Sequence, residues 1–303
     1  MDALPIIGLI VVAILAGSLD PSTALPEFDK LWNFADPGTT EARFREILAA
    51  APVEARDYRL ELATQIARCQ GLAGEFDAAH ATLDQVERSG SLTPRVCARL
   101  LLERGRAFNS AGSPGRALPI FRDAYRVATE AADWRFAIDA AHMIAIAEPK
   151  VADRIAGNLK CLDLIDQHPE QDRWRNAIYN NLGEAYRADR QYDRALDCFQ
   201  KLIAWQQSTG RAVDRYARVD EAKMLRMVGR PAESLARMQT LQREIGDEPD
   251  GFVAEEQAEA LLALGRADEA KPLFRLAWEK LKDEAWLKES EPQRHQRLRE
   301  LGE

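Results

Sequence analysis

The sequence predicts an all-α protein, a solenoid of about six stacked helix pairs with a capping helix at each end. Three observations carry that expectation. Val, Ile and Thr together make only 35 of the 303 residues, too few for an extended sheet. A small residue followed four positions later by a large apolar one recurs along the chain: Ala79 with Leu83, Ala117 with Phe121, Ile155 with Leu159, Ala195 with Phe199, Ser234 with Met238 and Ala270 with Phe274. The spacing between these pairs is nearly constant, at 38, 38, 40, 39 and 36 residues. A fixed period of that length marks repeats that bury their apolar faces only by stacking on one another. With 46% hydrophobic and 30% charged residues, the composition also excludes a disordered or fibrous chain.

Residues 1–24 stand apart from the repeat pattern. No charge occurs from Ala3 to Leu19, and Pro5 to Gly17 is an apolar run of the length of a secretory-signal core, short for a spanning helix. The basic residue that normally opens a signal is replaced by Asp2. Three readings stand side by side: a cleaved signal, a short membrane anchor, or an extension outside the working protein. Residues 25–54 follow as an N-terminal cap, with Asp36-Pro-Gly-Thr-Thr40 introducing a lone helix through about Ala50 that carries Phe44 and Ile47 on one face. The repeats occupy residues 55–280. Their helix pairs are divided by Gly74-Glu75, Gly112-Ser-Pro114, Glu148-Pro149, Asp189-Arg190, Gly229-Arg-Pro231 and Gly265-Arg266, turn-formers with proline near the start of three second helices. Residues 281–303 are charged, with Trp286, Leu298 and Leu301 as their apolar points, as a solvent-facing cap requires.

The fourth unit is the most legible. It reads Tyr179-Asn-Asn-Leu182-Gly183-Glu-Ala-Tyr186, then Tyr192, Ala195 and Phe199. Gly183 and Ala195 are small where two helices cross closely, and Tyr186 and Phe199 fill the space beside the crossing. This pattern resembles the tetratricopeptide repeat. Repeat two keeps Gly105, Phe108, Ala117, Phe121 and Ala124, and repeat six keeps Ala258, Leu261, Gly265, Ala270, Phe274 and Ala277. The resemblance covers about residues 40–280 and implies a right-handed solenoid with an inner groove lined by the first helix of each pair. It implies a binding role without enzymatic activity and names no ligand.

Little in the chain suggests chemistry. Cys69, Cys97, Cys161 and Cys198 are far apart and form no CxxC, which reads as free thiols and favours a cytoplasmic location over an oxidising one. A membrane-anchored or exported location through residues 1–24 is the competing expectation. The four histidines occur singly, without a metal-ligand spacing, and neither a nucleophile elbow nor a phosphate loop is present. His142 follows Asp139 by one helical turn and is read as a hydrogen-bonded structural histidine. The sequence therefore calls for no cofactor and no metal.

The groove remains. The resemblance implies that the second, fifth, sixth, ninth and twelfth positions of each first helix point inward. The ninth positions are Arg68, Arg106, Ile144, Glu184, Lys223 and Glu259, and the twelfth are Gly71, Asn109, Ala147, Arg187, Arg226 and Leu262. Five of these twelve are basic and two acidic, in a chain whose net charge is −8. A locally basic groove draws an acidic peptide or protein partner, whereas the overall charge argues against nucleic acid and leaves membrane contact only to residues 1–24. Asn181, and Gln65 in repeat one, match the asparagine with which peptide-binding relatives hold a ligand's main chain. Ala141, Tyr216 and Asp220 break the Lys, Asn and Arg set of the co-chaperone carboxylate clamp, so a chaperone tail is not the expected ligand. A tethered or exported scaffold of the cell envelope is the competing function.

Overall fold

The computed structural model describes residues 25–303 and is an α-helical solenoid without strands among them. The expectations for residues 1–24, as a signal, an anchor or an extension, lie outside the described residues. No helix among those described is long and apolar enough to cross a membrane. A short 3-10 turn, Phe28–Leu31, precedes α1 (Pro37–Ala50). Six pairs follow: α2 (Arg56–Leu72) with α3 (Phe76–Arg88), α4 (Pro94–Ser110) with α5 (Pro114–Glu130), and α6 (Trp134–Ala147) with α7 (Val151–Gln167). The remaining pairs are α8 (Arg175–Ala188) with α9 (Tyr192–Ser208), α10 (Arg215–Met227) with α11 (Pro231–Ile245), and α12 (Gly251–Ala263) with α13 (Ala267–Leu281). Two short helices, α14 (Ala285–Ser290) and α15 (Pro292–Gly302), close the chain, and α15 packs on α13.

Local chemistry sets the helix ends. Asp36, Asp133, Asp214 and Asp250 cap α1, α6, α10 and α12 by accepting from backbone N–H groups of the first turn. Pro94, Pro114 and Pro231 occupy first helical positions, where a missing N–H costs nothing. Within five of the six pairs the turn is made identically: Glu75, Ser113, Gln191, Arg230 and Arg266 each donate a backbone N–H to the carbonyl five residues earlier, at 2.8 to 2.9 Å, satisfying carbonyls the helix end would leave bare. Glycine takes the left-handed residue of that turn at 74, 112, 229 and 265, and Arg190 takes it in repeat four at φ 59°.

The small-and-large pairs form the seam of each unit. Ala79, Leu83, Ala117, Phe121, Ala195, Phe199, Ser234, Met238, Ala270 and Phe274 are all buried. A Cβ placed on Gly183 would lie 2.7 Å from Phe199 Cζ, which is why that position is glycine. Repeat three differs from the sequence expectation. Leu159 is 41% exposed while Asn158 is 2% exposed, so the seam position is Asn158, one residue earlier, with Arg154 in the small-residue place. Cys161, Leu164 and Ile165 bury the apolar face there instead. Cys69, Cys161 and Cys198 are buried free thiols pushed up to about 12 by burial, and Cys97 is half-buried. At the C-terminus the cap is less solvated than its composition suggests, because Leu287 is buried along with Leu298.

Candidate ligand groove

The N-terminal end of the inner groove is filled by the chain itself. The Tyr58 hydroxyl donates to the Pro26 carbonyl at 2.8 Å, and Phe28 packs with Phe44, Leu62 and Ile66. The Asp29 carboxylate accepts from Arg99 at 2.5 Å and pairs with Arg135 at 2.9 Å. Trp32 Nε1 donates to Gln65 Oε1 at 3.2 Å, and the Arg68 guanidinium lies over the Trp32 and Phe34 rings. Gln65, expected to hold a ligand's main chain, is therefore committed to Trp32. Three aromatic residues within Phe28–Phe34 were the available signal for this docking, and the helix pattern gave no reason to read them.

The expected basic stripe is largely paired. Arg106 donates to Glu103 at 2.7 Å and to Asp139, and Arg68 reaches the same Glu103 at 3.3 Å. Arg226 forks onto Glu256 at 2.8 and 2.9 Å, with the Ser234 hydroxyl on the same carboxylate at 2.9 Å. Arg187 grips Glu184 on its own helix. Counting only ninth and twelfth positions missed Glu103, Asp139 and Glu256, so the charge of this stripe is mostly internal. Asn181 Nδ2 donates to His142 Nε2 at 2.7 Å, which leaves Asn181 Oδ1 for other partners and accounts for the histidine as structural. Burial drives the His142 pKa down to about 4, so the imidazole is neutral. Asp139 bonds Arg106 rather than this ring. Asn109 is half-buried near the end of α4, and Lys223 has no carboxylate within ion-pair distance among the described residues.

The open part of the groove is a depression of about 790 Å³ lined by Arg68, Arg106, Arg135, Arg173 and Arg211, with Asp139 and Asp214 as its acids. Neither Arg173 nor Arg211 came from a first-helix position. Arg173 and Trp174 are carried by a 3-10 turn, Pro169–Trp174, which touches α6, α7 and α8 and accounts for the long spacing of that unit. Arg211 lies in the α9–α10 loop, turned there by Gly210 at φ 68° and anchored by its own N–H on the Gln206 carbonyl at 2.9 Å. Each guanidinium rests on an indole, Arg173 5.9 Å from Trp174 and Arg211 5.1 Å from Trp205. Among the described residues neither has a carboxylate partner. Burial, then the charge of Arg135, works against the Arg173 cation, so an arriving anion relieves it. The buried Trp174 Nε1 is left without a hydrogen-bond partner. No group of three His, Cys, Asp or Glu among the described residues could hold a metal ion.

Residues 177–209, the α8–α9 unit, match the tetratricopeptide repeat family. No curated protein matches the chain. Solved structures share the fold at low identity. A signal-transduction ATPase with numerous domains and a tetratricopeptide repeat sensor, from Pyrococcus horikoshii, aligns with TM-score 0.66 and 11% identity over 86% of this chain and 41% of its own. A tetratricopeptide repeat protein from Parabacteroides merdae aligns with TM-score 0.51 and 16% identity over 91% and 96%. NprR in complex with its cognate peptide NprX aligns with TM-score 0.52 and 14% identity over 88% and 79%.

Proposed function

We propose that this chain, a tetratricopeptide-repeat protein by its fold and by its fourth repeat, acts as a binding module that holds an extended acidic segment of a partner protein in its inner groove. The observation that carries the reading is the pair Arg173 and Arg211: two guanidiniums facing one depression, stacked on indoles, with no carboxylate of the described residues within ion-pair distance. Planar forks presented this way match carboxylates in two-bond geometry. Arg68 and Arg135, paired with Glu103 and Asp29, border the same depression. Asn176 is exposed, and its Oδ1 accepts from Gln206 at 2.8 Å, which leaves its amide N–H groups for a main-chain carbonyl. NprR, which shares the fold, is solved with a peptide, and that supports a peptide as the class of ligand.

Titration of a fluorescent glutamate-rich peptide tests the reading. Affinity is expected to fall with added salt, because the rim is exposed and screened. Replacing both residues, Arg173→Ala with Arg211→Ala, is expected to weaken binding about tenfold, a loss of about 1.4 kcal/mol shared by two exposed pairs. Undiminished affinity in the double variant would remove the groove as the site.

A further inference from the structure

The groove changes character along its length, and this second half deepens the reading above, on which the inference rests. Beyond the arginine-lined depression lies a cavity of about 550 Å³ bounded by α8, α10, α12 and the C-terminal helices. Its lining has six carboxylates against five cations, where the first half has five arginines against two aspartates. It also holds three aromatic rings. Tyr216 and Trp286, 47% and 41% exposed, flank Phe252, one edge-on at 5.6 Å and the other stacked at 6.0 Å. Exposed aromatic groups of this size do nothing for the core.

The chain's own ends indicate what each half accepts. Arg294 of α15 lies 5.7 Å from both the Phe252 and Trp286 rings while its fork holds Glu255 at 2.5 and 2.7 Å. At the opposite end Asp29 sits between Arg99 and Arg135. An acidic side chain thus docks in the basic half, and a basic one docks in the acidic, aromatic half. One carboxylate and one cation of the second half are left over: Asp220 and, one turn further along α10, Lys223 have no ion-pair partner among the described residues, and Asp220 is the one that can take a cation.

We propose that the groove recognises a bipolar segment of a partner protein, with carboxylates on Arg173 and Arg211 and a lysine or arginine that enters the second half. That cation would meet Asp220, with its alkyl stem against Tyr216 and Trp286. The two contact points are separated by up to two steps between neighbouring inner helices, about 10 Å each. At about 3.3 Å per extended residue, two such steps correspond to a spacing of at most about six residues.

Four synthetic peptides of equal length test the proposal by fluorescence anisotropy. One carries three glutamates and, six residues on, a lysine. The second has alanine for the lysine, the third has the lysine two residues from the glutamates, and the fourth has the lysine alone. The first is expected to bind about tenfold more tightly than the second and third. Asp220→Asn and Trp286→Ala are each expected to abolish that advantage while leaving the affinity of the lysine-free peptide unchanged, with thermal melts confirming that both variants fold. Equal affinity for the first and second peptides, with both still dependent on Arg173 and Arg211, overturns the bipolar inference and leaves the acidic-segment reading intact. If no glutamate-containing peptide binds, both fail.

Discussion

Arg106 sits between two buried carboxylates, and that position decides what its loss would do. Truncating it strands the buried Asp139 without its cation and leaves Glu103 with Arg68 alone at 3.3 Å, a change that costs more than a surface contact does. Arg106→Ala is therefore expected to lower stability by about 3 kcal/mol, while Arg173→Ala stays within about 0.5 kcal/mol of the parent. Urea denaturation of the two variants separates a fold-supporting arginine from a ligand-facing one. Gly183 allows a similar test of packing: with Phe199 already 2.7 Å from where a Cβ would be, Gly183→Leu is expected to cost at least about 1 to 3 kcal/mol, read as a lower thermal midpoint. Asp220 and His142 pull in opposite directions with pH. Burial, with Glu184 on α8, pushes the Asp220 carboxyl up to about 6, against the pull of Lys223, Arg187 on α8 and Arg294 on α15. Folding thus favours its protonated form, a contribution present at low pH and lost as pH rises through about 6. The neutral His142 does the reverse: its contribution is present above its ordinary value of 6.5 and is lost as pH falls through about 4. Asp220→Asn is expected to raise stability at pH 7.5 by on the order of 2 kcal/mol. It should also make the loss between pH 6.5 and 4 steeper than in the parent, since the offsetting group is gone. Urea midpoints at pH 7.5, 6 and 4.5 measure both effects.

Two elements outside the helix pairs shape the groove. The Pro169–Trp174 turn supplies Arg173, and the Pro26–Phe34 segment plugs the N-terminal end. Neither has a helical period, and both are short, so nothing in their local pattern announces where they dock. What places them is tertiary: Asp29 finds Arg99, 70 residues away, and Trp205 Nε1 donates to Asp172 across 33. Removing the segment uncovers Phe44, Leu62 and Ile66 and leaves the buried Arg99 with Glu61 as its remaining carboxylate. A chain beginning at Pro37 is accordingly expected to lose about 3 kcal/mol or more against one beginning at Leu25, from several buried side chains at about 1.5 to 3 kcal/mol each. Denaturant titration of the two chains gives the difference.

For the molecule as a whole, what was legible in the sequence is what one repeat determines by itself. Phe199, four residues after the buried Ala195, meets Gly183 within a single unit, so this spacing survives in the chain as a pattern. Pairings between units leave no such trace: Arg68 reaches Glu103 across 35 residues and Arg226 reaches Glu256 across 30, distances set by stacking rather than by helix period. The ninth and twelfth positions of single helices thus show these arginines without their partners, which lie on the neighbouring units. Repeat three is where the internal pattern itself weakens. Its seam position is Asn158, whose Nδ2 returns to the Arg154 carbonyl at 2.9 Å while its Oδ1 is buried without a partner. In a solenoid, stability is close to a sum of unit and nearest-neighbour contributions, so a unit whose seam buries an unsatisfied acceptor weakens the coupling of the two flanking arms. A leucine of similar size would remove the unsatisfied oxygen and supply the apolar contact that Leu83, Phe121, Phe199, Met238 and Phe274 make elsewhere. Asn158→Leu is expected to stabilise by about 1 to 2 kcal/mol, the scale of an unmet buried acceptor. Coupling predicts more than a shift in midpoint: amide exchange in the parent should report separate opening of the α1–α6 and α8–α15 arms, and in the variant the two should protect each other and exchange at one common free energy. Unchanged exchange across both arms would mean that Cys161, Leu164 and Ile165 already carry the coupling on their own.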